Sequence, residues 1–175
     1  RAKSISAPPG KGVGARSASS AEISVSGDIT TGGTAIYARS AYTGRIDVDG
    51  SITVGIGAGV DFSSSFIGNN NTFRITTGAI SVDDGDAVIA TDAGAGTSAV
   101  YVSGPISAPM GDGVRLSGGQ SKYLNVSVMG DVNVGGQGLY VTGETPSFVD
   151  VTIVGDLTSG GNGVTLALFD RERSF

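Results

Sequence analysis

The 175-residue chain contains no cysteine and no histidine. The first absence excludes disulfides and thiolate metal sites, and the second removes imidazole ligands and the commonest general base. Charge is also scarce: Asp, Glu, Lys and Arg make up 15% of the residues, the net charge is -5, and no basic run is longer than two residues. Phosphate recognition needs clustered Lys and Arg to displace counterions, so nucleic acid is not an expected partner. No apolar stretch approaches the roughly 20 residues that cross a bilayer, so no transmembrane segment is expected in this chain. The opening "RAKSISAPPG" has no apolar signal core, and the start at Arg1 rather than Met suggests processing or excision from a longer protein. Lack of cysteine does not by itself fix the redox compartment.

Glycine is abundant instead, 30 of 175 residues, beside 39% hydrophobic residues. A chain both glycine-rich and apolar reads as many short strands joined by many turns, and its length suits one domain.

Six segments share the pattern apolar-x-apolar-x-Gly-x-apolar: "ISVSGDI" from Ile23, "IDVDGSI" from Ile46, "FRITTGAI" from Phe73, "VYVSGPI" from Val100, "VSVMGDV" from Val126 and "VTIVGDL" from Val151. The marker glycines Gly27, Gly50, Gly78, Gly104, Gly130 and Gly155 are spaced by 23, 28, 26, 26 and 25 residues. A second anchor follows each marker at Ile36, Val60, Val88, Val114, Leu139 and Val164, always preceded by Gly or Ala. Apolar alternation resumes two residues later, which is the period of a strand. Only Arg74 and Thr76 break the template, and there Thr77 reads as an extra residue before Gly78, to be absorbed by a β-bulge.

Like positions recur in the same order in every repeat. An antiparallel meander would have to reverse that order between neighbours, whereas coiling stacks Ile29, Ile52, Ile80, Ile106, Val132 and Leu157 in one column. The expected fold is therefore an all-β, right-handed parallel β-helix of about six rungs, the hand following the usual parallel crossover. Residues 22–166 form the solenoid, 1–21 a linker, partial rung or N-terminal cap, and 167–175 a C-terminal tail or cap. At ~4.8 Å per rung, five steps give a rod on the order of 24 Å long. The marker glycines are expected at corners that need positive φ, so a change such as Gly27→Val should strain the corner.

The variable stretches 39–45, 63–71, 91–98, 117–123 and 142–148 all follow the second anchor, the edge where repeat proteins commonly place recognition. Their aromatics Tyr42, Phe66, Tyr123 and Phe148 read as covers over the open edge of the core, with ring stacking on a sugar or a protein partner as the alternative. "DDGD", with Asp83, Asp84 and Asp86, invites a polysaccharide-cleaving reading, but the His-Gly and Arg-x-Lys segments of β-helical hydrolases are missing, so these are read as turn carboxylates. "GGQGLY" and "GGNGVT" resemble calcium-binding nonapeptides but carry Tyr140 and Thr165 where the ligating Asp belongs. "GKGVG" at 10–14 is too short for a phosphate loop, and "NNT" (70–72) and "NVS" (125–127) match the glycosylation sequon formally. No catalytic, cofactor or metal residues are assigned, and no cofactor is expected.

The repeats "VSVMGDVNVGGQGLYV" and "VTIVGDLTSGGNGVTL" resemble the passenger regions of bacterial autotransporters and related large surface adhesins, over about residues 22–166. That resemblance implies a secreted, non-catalytic structural or adhesive module at the bacterial surface. Its expected partners are a host or neighbouring-cell surface protein or glycan, and a second copy stacked on the terminal rungs as a filament. The competing reading is a polysaccharide-binding or polysaccharide-processing β-helix, such as a lyase, a hydrolase or a phage tailspike fragment.

Overall fold

A computed structural model describes residues 5–7, 10, 12–65, 71–144 and 146–169. All twenty described strands are parallel to their partners and fall into three sheets of seven, seven and six strands. The chain visits the sheets in rotation, so each full coil contributes one strand to each. Coil by coil this gives a β-solenoid of six complete three-stranded turns, preceded by a two-stranded partial turn, Ile5–Ala7 and Val13–Arg16.

The columns are those the repeat dictates. In the first sheet Ile5, Ile29, Ile52, Ile80, Ile106, Val132 and Leu157 are successive register partners. In the second, Val13, Ile36, Val60, Val88, Val114, Leu139 and Val164 are. The third runs Ile23, Ile46, Ile75, Val100, Val126 and Val151. Their inward faces form one continuous core, in which burying each large aliphatic side chain contributes about 1.5–3 kcal/mol. Phe62 and Phe73 meet inside with ring centroids 4.7 Å apart, and Gly44 beside them lacks the Cβ that would collide with the Phe62 ring.

The glycines before the second anchors meet first the carbonyl of the next coil, 2.6 Å from a Cβ at Gly59 and 2.3 Å at Gly113 and Gly138, and then an inner side chain of the first sheet. A Cβ on Gly59 would lie 2.8 Å from Ile80 Cγ2, and one on Gly138 2.7 Å from Leu157 Cδ1.

Two sequence expectations are corrected. Of the marker glycines only Gly155 has a left-handed φ, 146°. Gly50, Gly78, Gly104 and Gly130 are required by close stacking of corners: a Cβ on Gly50 would lie 2.5 Å from the Gly27 carbonyl carbon, on Gly78 2.4 Å from Gly50 O, on Gly104 2.9 Å from Ala79 N, and on Gly130 2.6 Å from Pro105 N. Gly27, in the first full coil, has neither a left-handed φ nor such a contact among the described residues. Positive φ occurs instead at the next corner, at Gly57 (116°) and Gly85 (134°).

The third coil has no bulge. Ile75 pairs with Ile46 and Val100, and Thr77 pairs with Val102, so the corner from Ile75 to Ile80 is one residue shorter than that from Ile46 to Ile52. Thr77 thus occupies a valine column, with its hydroxyl buried and without a hydrogen-bond partner among the described residues. An unmade hydrogen bond at a buried hydroxyl is a net cost. Thr77→Val is expected to raise stability by about 1 kcal/mol, read as a higher urea midpoint at unchanged slope.

Corners are also stapled by carboxylates. Asp28 Oδ1 accepts from Ser51 N (2.7 Å), Asp86 Oδ1 from Asp112 N (2.8 Å), Asp112 Oδ1 from Gln137 N (2.7 Å) and Asp131 Oδ1 from Asp156 N (2.9 Å). Each bond ties one coil to the next. At Asp28 the Ser51 backbone N–H, then its hydroxyl, hold the carboxyl below its ordinary value. That staple is therefore complete above the unfolded carboxylate range and is lost as pH falls through the lowered folded value.

Candidate functional site

The third corner, between the second and third sheets, collects the variable stretches, and it holds two polar constellations that differ in burial.

The inner one centres on Asp92, which is 1% exposed. Asp92 continues the inward alternation of Val88 and Ala90, just as Ser64 continues that of Val60 and Phe62. Donors from three loops converge on its carboxylate. Ser64 Oγ and Gly94 N (3.0 Å) donate to Oδ1, and Ser98 Oγ (3.0 Å) donates to Oδ2. Ser121 Oγ lies 2.7 Å from Ser98 Oγ and 3.2 Å from Oδ2, so its single proton serves one of these two acceptors. These residues belong to successive coils, so the cluster locks three variable loops to one point. Among the described residues no Arg or Lys lies within 4 Å of it, so the charge is held by hydrogen bonds alone. Sequence reading missed this cluster. The visible signal was a polar residue on the inward phase of a strand.

The outer constellation lies on the solvent face of the second sheet. Parallel pairing sets Arg16 beside Arg39, and Tyr37 two residues before Arg39 shares the same face. Tyr37 Oη accepts from Arg39 Nε (2.7 Å) and Arg16 Nη2 (3.1 Å). The two guanidinium carbons lie 4.8 and 5.2 Å from its ring centroid, within cation–π range. The Arg39 hydrogen bond first, and the second guanidinium after it, hold the Tyr37 phenol below its ordinary value. Arg39 Nη1 also donates to Ser63 Oγ, and its Nη2 lies 3.7 Å from Asp61. Alongside runs an open groove of about 360 Å³ lined by Arg16, Ser17, Ala18, Arg39, Ser40, Ala41 and Ser65. Ser40 is 4% exposed, and its Oγ has no hydrogen-bond partner among the described residues.

No protein family, curated protein or solved structure matches this chain. The site must therefore be read from its own chemistry.

The carboxylates that suggested polysaccharide cleavage are dispersed. Asp83 and Asp84 are exposed at the end of the strand Ile80–Asp84. Asp86 staples the corner and pairs with Arg115 (3.5 Å), which also reaches Asp112 (3.6 Å). Among the described residues no group of three or more Asp or Glu side chains is arranged to hold a metal ion.

The aromatics are placed otherwise than expected. Tyr42, Tyr123 and Phe148 are 42%, 51% and 56% exposed, and Phe66 lies outside the described residues. Tyr123 and Phe148 open their strands on the outward phase, in register with each other, while Leu124 points in. The edge of the core needs no aromatic cover because Phe73, Leu124 and the Asp92 cluster already fill it. Of the sequons, Asn125 lies in the strand Tyr123–Val128 with its Nδ2 3.4 Å from Asp150 Oδ2, and Asn70 lies outside the described residues. No helix among the described residues is long and apolar enough to cross a membrane.

Proposed function

We propose that the chain is a non-catalytic structural and adhesive β-solenoid module of a bacterial surface or secreted protein. The single observation that carries this reading is where the polar side chains are used. Asp28, Asp86, Asp112 and Asp131 bond the backbone of the next coil, and Asp92 locks the loops from within. What faces solvent is a set of shallow open surfaces: the basic groove at Arg16 and Arg39, and the aromatic pair Tyr123 and Phe148. Such surfaces hold a partner by area, and exposed aromatics are effective contact residues.

The reading includes end-to-end association. In the last described coil Val164, Leu166 and Leu168 occupy inward columns yet are about half exposed. The strand edges there match the register of any further coil. Light scattering over a range of concentrations is expected to show particle length growing with concentration. Uniform short particles throughout count against association.

The competing polysaccharide-processing reading is separated by one assay. The purified chain is incubated with a polysaccharide panel and scored both for retention on the polymer-coated surface and for release of new chain ends. Retention without cleavage is expected, and Tyr123→Ala with Phe148→Ala is expected to weaken retention at least threefold. Cleavage that disappears in Asp83→Ala or Asp84→Ala overturns the non-catalytic assignment.

A further inference from the structure

We propose that the groove at Arg16, Tyr37 and Arg39 is an anion site that receives the acidic group of a uronate-bearing or sulfated polysaccharide. This rests on the adhesive reading and names its ligand class.

Arg16 and Arg39 are direct partners in adjacent parallel strands, so two guanidiniums are held side by side on one face of a chain whose net charge is -5. Like charges in register repel, and an arrangement of this kind is relieved by an anion shared between them. Tyr37 relieves it only in part, since one phenol oxygen takes one N–H from each arginine. Among the described residues Arg16 has no carboxylate within 4 Å, and Arg39 meets only Asp61, at 3.7 Å.

The other arginines of the described outer faces are differently provided. Arg45 is paired with Asp47, Arg115 with both Asp86 and Asp112, and Arg74 lies over the Tyr101 ring at 4.9 Å while donating to Thr76. A second groove, about 340 Å³, is lined by Glu22, Ser24, Arg45 and Asp47, so its acids outnumber its single base. The same register sets Arg45 beside Arg74, but Glu22 is the partner of Arg45 on its other side and Asp47 pairs with it, so two acids stand beside those two bases, whereas Arg16 and Arg39 have only Asp61 within 4 Å among the described residues.

The groove beside them identifies the class of molecule. Its lining adds Ser17 and the exposed Ser65, and Ser63 beside it already accepts from Arg39. Hydroxyls beside a guanidinium pair suit a polyhydroxylated chain bearing planar or tetrahedral oxyanions, which arginine recognises in a bidentate manner. A nucleic acid fits poorly, because its affinity rests on many neutralised phosphates and only two cations are offered against an acidic surface.

The test uses the chain itself, with nuclear magnetic resonance and calorimetry. The probes are inorganic sulfate, an oligogalacturonate, a sulfated oligosaccharide and a neutral oligoglucoside of the same length. Saturable shifts at Arg16, Tyr37 and Arg39 are expected with sulfate and with at least one acidic oligosaccharide, and none with the neutral one. Which acidic oligosaccharide binds tells carboxylate from sulfate. Saturation is also expected to return the Tyr37 phenol towards its ordinary value, because the anion takes over its guanidinium donors. Arg16→Gln with Arg39→Gln is expected to weaken binding at least tenfold at an unchanged thermal midpoint, while Arg115→Gln leaves it unaltered.

Binding of sulfate without either acidic oligosaccharide overturns the proposal, as does acidic binding that survives the double variant. If the double variant adheres to surfaces as well as the parent, the site is refuted and the adhesive reading stands. If the chain binds an acidic oligosaccharide yet adheres to no surface, the site stands and the adhesive reading fails.

Discussion

Replacing Gly85 by alanine is expected to lower the stability of the solenoid by about 3–5 kcal/mol, while Gly14→Ala leaves it unchanged or slightly higher. The contrast isolates what glycine does in this fold. Gly85 sits at φ 134°, where a side chain is strained by about 1–3 kcal/mol whatever its surroundings. Its missing Cβ would also press on the Gly57 peptide of the coil below, with the carbonyl carbon 2.8 Å away. Both obstacles are backbone, so no flexible side chain can yield, and relief requires prising two coils apart. That overpacking adds about 1–3 kcal/mol. Gly14 lies in the strand Val13–Arg16, and a Cβ there would meet only Tyr37 O at 3.8 Å, an ordinary contact. Urea unfolding of the two variants against the parent measures the difference directly. Equal midpoints for both would show that corner stacking is not what limits these positions.

The second large effect is expected at Asp92. Alanine there removes the acceptor shared by Ser64, Gly94 and the Ser98–Ser121 hydroxyl pair at a site closed to water. Ser98 and Ser121 retain each other at 2.7 Å, whereas the Ser64 hydroxyl and the Gly94 N–H lose this acceptor. Orphaned buried donors cost about 1–3 kcal/mol each, so Asp92→Ala is expected to destabilise by about 2–4 kcal/mol. Some of that is offset, because a buried carboxylate without a cation carries its own desolvation cost. Asp92→Asn separates the terms. The amide keeps the shape, its oxygen can serve Ser64 and Gly94, and the hydroxyls of Ser98 and Ser121 can rotate to accept from its nitrogen. A loss of about 1 kcal/mol is expected, smaller than for alanine. Hydrogen exchange should show the loops at 92–96 and 118–122 opening first in the alanine variant. An asparagine variant less stable than the alanine one would mean that the charge itself, rather than the hydrogen bonds, holds the corner.

Much of the architecture was legible in the chain, and the failures are informative. Ile29, Ile52 and Ile80 could be placed in one column from spacing alone, because a side chain on the inward phase must meet its counterpart one period away. Thr77 was misread for want of a partner strand: only pairing with Val102 reveals that the corner lost a residue rather than the strand gaining one. Tyr123 and Phe148 were read as core covers because rings are usually buried, yet the alternation that sends Leu124 inward sends them out. Arg16 lies in the segment read as a linker, partial rung or cap, which hid its pairing with Arg39. Extending the template one period back, from Ile36 to Val13, would have exposed it.

Composition and periodicity by themselves determined the parallel coiling, the three inward columns and the exclusion of thiolate and imidazole chemistry, since these follow from which residue types recur at which phase. Only the tertiary structure decided which glycines lack space rather than need positive φ, that Asp92 gathers donors from several coils, and that two arginines share one tyrosine. Those contacts join residues of different coils across corners of unequal length. A difference of one residue at a corner changes which polar groups meet, and nothing in the local alternation records it.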